Sequence, residues 1–445
     1  MTHRLRLFVT SITLLSSIEL LPLQPLEAQS SSAHARSESV RPAAADVVGG
    51  VKPGEVEPDD VKPNRDALVD AELEAYRVQL LDLAFRAASA FPTSPHVKTR
   101  ARLQDAVVGT CLELRQARRA ADLVESVDTW RRGSCYADLA MYLAREKRPA
   151  QLVRKYVDLA KAISDRVEVE GGQDWARDRI RVKIAGAHLL MGDVAAAREF
   201  GVVPTEAEAG KVATYASMRT SAEEFDDQMK SLGKVIEIGG LDATVNALEA
   251  YAQLYDRFYA DEARRASIER TIQDSWGKSP VQVRFDVMMK LVEFARAHGD
   301  AAKALELIGI TRQLVDSVRW TPEDQITLLS RLAGARHRSG DAAGAKSDLE
   351  AVHAIYEKER LGIPQFERGM ALCVLAENHR ESGDVSSAIA SYARAIDEVS
   401  KNPNARPRAE VLVSVCRSMA KSGTEPDAAL RARLDACFAG LKDPW

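Results

Sequence analysis

Gly369–Pro403, GMALCVLAENHRESGDVSSAIASYARAIDEVSKNP, decides the fold. In its second half apolar residues fall at Val385, Ala388, Ile389, Tyr392, Ala395, Ile396 and Val399. That spacing is one face of a helix, because 3.6 residues per turn brings i, i+3, i+4 and i+7 to the same side. Ser386, Ser387, Arg394 and Asp397 fill the opposite side. The first half is apolar at Ala371, Val374, Leu375 and Ala376, then polar through Asn378, His379, Arg380 and Glu381. Between the halves, Gly383 is free to take the left-handed conformation that ends a helix. Asp384 follows it as a capping residue for the next helix. Small Ala376 and Ala388 let two helices approach closely, and Asn402-Pro403 stops the second one. The spacing predicts two antiparallel helices joined by a Gly-Asp turn.

The same frame recurs along the chain, with room for about nine helix pairs. A small residue, a Gly-Asp turn and a second small residue appear at Ala185, Gly192, Asp193 and Ala197. They appear again at Ala333, Gly340, Asp341 and Ala345. Gly299, Asp300 and Ala304 keep the turn with Val292 ahead of it, and Gly423 with Ala428 keeps less of it behind Cys416. The turns at Gly299, Gly340, Gly383 and Gly423 lie 41, 43 and 40 residues apart. A constant period of this size is the signature of stacked helix pairs, each burying its apolar face on the next. Start signals fit the frame. Ser279-Pro280 and Thr321-Pro322 each pair a capping residue with an N1 proline. Thr205 with Glu208 has the form of a capping box, and Asp324 sits in a first turn, where negative charge suits the dipole. Between 201 and 276 the pattern is least regular, with Gly239-Gly240 and Gly277 as its breaks.

Ala376, Gly383, Asp384, Ala388, Tyr392, Ala395 and Pro403 together resemble the tetratricopeptide repeat. The resemblance implies an all-α, right-handed superhelical array of antiparallel helix pairs, with a concave face that binds peptides or proteins. It implies no catalytic residue. The period here exceeds the common length of about 34 residues, so longer helices are expected.

The composition agrees. The chain has 445 residues, 46% apolar and 28% charged, with aromatics at only 6% and a net charge of −4. That supports a core, favours helix over sheet, and argues against nucleic-acid binding by bulk charge. Residues 1–28 read as a signal peptide: His3, Arg4 and Arg6 precede an apolar run from Leu7 to Ile18 that is too short for a comfortable membrane span. Glu19 interrupts the run, and Ala28 is the expected last residue of the signal. Residues 29–66 are rich in Ser, Ala, Pro and acidic side chains, lack large apolar residues, and read as a disordered linker. The repeat domain is expected over 67–445, most regular over 280–441, with its first helix running from near Asp66 to Phe91. Export to the periplasm or medium follows from the signal.

No catalytic or cofactor signature is present. Gly277-Lys278-Ser279 resembles the end of a phosphate loop, but the first glycine is replaced by Ile272. Ser275 to Lys278 and Ser418 to Lys421 match Ser-x-x-Lys without the partner motifs. No metal and no cofactor are expected. Cys111, Cys135, Cys373, Cys416 and Cys437 form no CxxC; they read as small buried residues, with Cys111–Cys135 and Cys416–Cys437 pairings as the alternative. Residues 97–200 hold 20 Lys/Arg against 15 Asp/Glu, and 201–276 hold 8 against 14. The candidate peptide-binding residues are Arg177 and Arg181 on a basic helix, His188 and His379 at equivalent places in their repeats, and Asn378 beside the latter. The expected function is a non-enzymatic scaffold for a protein or peptide. A structural part of an envelope assembly and a helical-toroid enzyme or carbohydrate-binding protein are the alternatives.

Overall fold

A computed structural model describes residues 67–445 apart from 171–173, 202, 204, 205 and 219. The signal and linker segments, and the capping residue Thr205, lie outside the described residues. Helix α1 (Ala75–Ser89) comes first. Four pairs follow: α2/α3 (Thr93–Glu113, Ala117–Val124), α4/α5 (Arg131–Arg145, Ala150–Glu170), α6/α7 (Asp174–Leu190, Val194–Gly201) and α8/α9 (Glu206–Ser217, Phe225–Ile238). Next are α10/α11 (Leu241–Arg257, Glu262–Asp274), α12/α13 (Val281–Ala297, Ala301–Asp316) and α14/α15 (Pro322–Arg338, Ala342–Glu359). The chain ends with α16/α17 (Gln365–Glu381, Val385–Ser400) and α18/α19 (Ala405–Ser422, Ala428–Ala439). The protein is an all-α repeat solenoid.

The turn within each pair explains the period. Gly192, Gly299, Gly340, Gly383 and Gly423 all have positive φ, between 66° and 95°. Each turn returns a backbone N–H to a carbonyl five residues back, as in Asp384 N–H to His379 O at 2.9 Å. The next helix is then capped by an aspartate: Asp300 accepts from Lys303 N–H at 2.9 Å, Asp341 from Gly344 at 2.9 Å, Asp384 from Ser387 at 3.0 Å. Two early turns use the same geometry without glycine, at Arg115 (φ 59°) and Lys147 (φ 53°). A glycine-based reading of the sequence passes over both.

Several boundaries differ from expectation. The first helix starts at Ala75, not near Asp66, because Asp70 is used elsewhere: its carboxylate accepts from the backbone N–H of Arg118 at 2.7 Å and caps α3. Ser279 does not cap α12, whose flanking residue is Pro280 with no side-chain cap. Thr321 does cap α14, accepting from Asp324 N–H. Gly239-Gly240 separates α9 from α10, and Gly277 lies in a 3-10 turn before α12. All five cysteines are buried free thiols.

The pairs stack through their first helices. Each of α2, α4, α6, α8, α10, α12, α14 and α16 packs against the first helix of the following pair. The second helices touch each other far less, with α17 against α19 the main instance. Such asymmetry places the first helices on the inside of a curve. The curve closes: α18 packs on α2 as though α2 were the next repeat, and α1 lies along α18. Among the described residues, nine inner helices therefore form a ring. Glycines allow their close approach. A Cβ on Gly133 would meet Ile180 at 2.9 Å, and one on Gly369 would meet Val411 at 2.9 Å.

Candidate functional site

Several inner helices are apolar on the faces they show their neighbours and polar along one narrow stripe. On α12, Val283, Phe285, Val287, Met288, Leu291 and Val292 are buried, while Asp286, Lys290 and Glu293 stay partly accessible. Their i, i+4, i+7 spacing puts the three on one face. Equivalent stripes hold Asp138 and Arg145 on α4, Arg179 and Lys183 on α6, Arg331 and Arg338 on α14, and Glu377 on α16. The inner wall of the ring is thus polar although its helices are mostly buried.

Opposite charges join neighbouring stripes. Arg131 of α4 meets Asp105 of α2 at 2.5 Å, and Lys183 of α6 meets Asp138 of α4 at 2.6 Å. Lys290 of α12 contacts Glu249 of α10. On α14, Arg331 binds Asp286 at 2.8 Å, and Arg338 binds Glu293 at 2.6 Å and also Glu381 of α16. In most rungs the cation comes from the later helix and the acid from the earlier one. Arg102 of α2 with Glu410 of α18, 3.5 Å apart, continues that sense across the closure.

The electrostatics fit a confined, partly hydrated wall. The Asp138 side chain keeps 23% of its surface accessible, yet surrounding protein raises its carboxyl above the usual range, against the pull of Lys183. Burial pushes the Lys290 ammonium below its ordinary value, an effect that contact with Glu249 opposes. Near the closure, burial raises the Glu377 carboxyl, which is hydrogen-bonded to Ser418. Burial also lowers Arg417, whose Nε donates to Thr110 Oγ1 at 2.8 Å. Lys421 binds Glu113 at 2.9 Å beside them. Partial exposure combined with desolvation arises when charges face a narrow space ringed by protein.

The five residues singled out in the sequence do not line this wall. Arg177 is forked onto Asp178 at 2.9 and 3.0 Å. Arg181 donates to Glu199 O at 3.3 Å and lies over the Phe200 ring of α7 at 5.6 Å. His188 stacks on the same ring, centroids 5.6 Å apart, with Nδ1 3.6 Å from Asp193. On the helical wheel these three lie roughly 180° from the Arg179–Lys183 stripe. His379 does occupy the place equivalent to His188, with Nδ1 3.8 Å from Asp384, and is equally buried. Desolvation holds both histidines below their ordinary value. Asn378 is buried, donates to Val374 O at 2.7 Å, and fills the space beside Gly334 of α14. Of the predicted basic helix, Arg179 and Lys183 are the residues that face inward. A signal for them exists: isolated charges at i, i+4, i+7 in an otherwise apolar helix, matched by opposite charges about one repeat away.

Among the described residues, no group of three or more His, Cys, Asp or Glu is placed to hold a metal. No described helix is long and apolar enough to cross a membrane. No protein-family model matches the chain, and no curated protein matches it either. Among solved structures it is similar to one described as "Circular tandem repeat protein with novel repeat topology and enhanced subunit contact surfaces". The identity is 14% over 82% of this chain and 94% of that chain, with a TM-score of 0.16. At that score it adds nothing to the ring read from this chain's own contacts.

Proposed function

We propose that the protein is an exported, non-enzymatic scaffold of tetratricopeptide-like helix pairs that binds a polypeptide along the inner wall of its ring. The observation that carries this reading is the polar stripe repeated on several inner helices, where Asp138, Lys290 and Arg338 stay partly accessible while their neighbours are buried. Stacked pairs present a rigid, extended surface, which suits recognition of an extended chain. The size argues for a chain over a domain. Nine helix axes spaced about 9 Å apart enclose a bore of roughly 15 Å, wide enough for a strand or one helix but not for a domain of about 30 Å.

Affinity capture from an envelope fraction with the full-length protein tests this. One stoichiometric polypeptide is expected, released by a charge reversal such as Lys183→Glu on the inner wall and retained by Arg181→Glu on the far side of the same helix. Capture of no polypeptide, or equal release by both variants, overturns the reading. A second reading, a helical toroid acting on a carbohydrate, is favoured by the ring closure and by the desolvated carboxyl of Glu377. It requires a second free carboxyl within about 5–10 Å, and Glu381, one turn away, is bound to Arg338.

A further inference from the structure

Trp130 stands immediately before α4, and Trp175 lies in the first turn of α6. Their rings meet edge to face with centroids 5.0 Å apart. The Arg131 guanidinium covers the Trp130 ring at 4.9 Å while its charge is taken up by Asp105. Trp175 has no such cover and leaves 48% of its surface exposed. One turn along the same stripe is Arg179, which has no hydrogen bond or ion pair among the described residues. The nearby acid Asp138 acts on it only at longer range and is already bound by Lys183. An exposed tryptophan shelf and an uncommitted guanidinium therefore stand together at the end of the inner wall where chain enters the inner helices.

We propose that Trp175, backed by Trp130 and joined by Arg179, is the anchor for an acidic polypeptide segment that carries an apolar or aromatic side chain. This rests on the reading of the ring as a polypeptide-binding scaffold. Tryptophan and arginine are the residue types that concentrate binding energy when a partner excludes water from them. The tryptophan face takes an apolar side chain, and the planar guanidinium takes a carboxylate through two parallel hydrogen bonds. Charge complementarity selects an acidic occupant, since residues 97–200 hold 20 Lys/Arg against 15 Asp/Glu. Of the other inner-wall cations on α4 and α6, Arg131 and Lys183 are already bound to Asp105 and Asp138, and Arg145 lies at the far end of α4, which leaves Arg179 to set the preference at this end.

The test uses the full-length protein and a fluorescein-labelled glutamate–tyrosine copolymer, with a lysine–tyrosine copolymer as control. Binding is read by anisotropy and by quenching of tryptophan fluorescence. The acidic copolymer is expected to bind and quench. Trp175→Ala and Arg179→Glu should each weaken binding by roughly tenfold or more, without change in the thermal midpoint because both side chains are partly exposed. Arg179→Lys should retain part of it. The proposal is overturned if the wild-type protein does not bind the acidic copolymer, if both variants bind as well as wild type, or if the lysine copolymer binds equally. A captured natural polypeptide that stays on both variants sinks the anchor alone; failure to capture any polypeptide sinks the scaffold reading.

Discussion

The interface between α14 and α16 and the one between α18 and α2 share a parallel register of paired residues but differ in chain connectivity. In the first, the partners are sequence neighbours. Arg338 reaches Glu381, and Asn378 fits against Gly334. In the second, the partners come from the two ends of the chain. Arg102 reaches Glu410, Arg417 reaches Thr110 and Lys421 reaches Glu113, in the parallel register of neighbouring repeats. The closing seam is also held by α1 and by the last residues of the chain. Arg77 of α1 donates to Ala420 O at 2.7 Å, Arg431 donates to Gln79 at 3.1 Å, and Trp445 lies on Phe91 with centroids 4.8 Å apart. Loop closure sets the two interfaces apart. Neighbouring repeats meet across a short connection, whereas the seam must offset the entropy of joining distant ends.

This comparison can be broken at the seam first. Leu80 and Leu81 of α1 are fully buried. Replacing either with alanine should cost about 2–5 kcal/mol. Hydrogen exchange should then quicken in α18, the partner from the far end of the chain, and not in α10 or α12. Equal quickening around the ring would mean that the seam is no weaker than any other interface. Arg77→Ala removes one charged donor from the seam and should cost about 1–2 kcal/mol by denaturant unfolding; no change in midpoint would place the seam's stability in its apolar contacts alone.

The turns sharpen the same contrast. Lys147 adopts the left-handed conformation that glycine supplies in later repeats. Lys147→Gly should therefore stabilise by about 0.5–1 kcal/mol, and a loss of stability would show that the side chain has a role beyond the turn. The smallest effect concerns Glu377. Its folded carboxyl is raised by burial, so the folded state binds a proton more readily than the unfolded one. Stability is then lost as pH rises from the ordinary carboxylate value through the folded value. Glu377→Gln should be more stable than wild type at pH 7 and lose that advantage as pH falls towards the ordinary carboxylate range, about 4.3. A pH-independent difference would mean that the carboxyl is not desolvated.

The repeats and their turns were legible because they are local. Gly383 and Asp384 carry the turn within two residues, and the apolar face of α17 repeats within one helix. The turns at Arg115 and Lys147 were not legible, since nothing in those side chains signals positive φ. Nor was Asp70, which caps a helix 48 residues away. The placement of the candidate residues was not legible for a related reason. Arg177, Arg181 and Lys183 share a basic helix, but 100° per residue sends Arg177 and Arg181 away from Lys183, and only packing decides which side is the inner wall. His188 and His379 were rightly matched as equivalents, and their equivalence reflects burial beside the turn aspartate.

By itself the sequence determined an all-α array of helix pairs with a period of 40 to 43 residues in its last repeats. These features depend on residues a few positions apart. Tertiary structure alone decided that the array closes on itself, that α1 packs along the last repeat, and that Trp175 and Trp130 meet. The physical reason is that closure accumulates from small rotations between successive pairs, and no single pair encodes their sum.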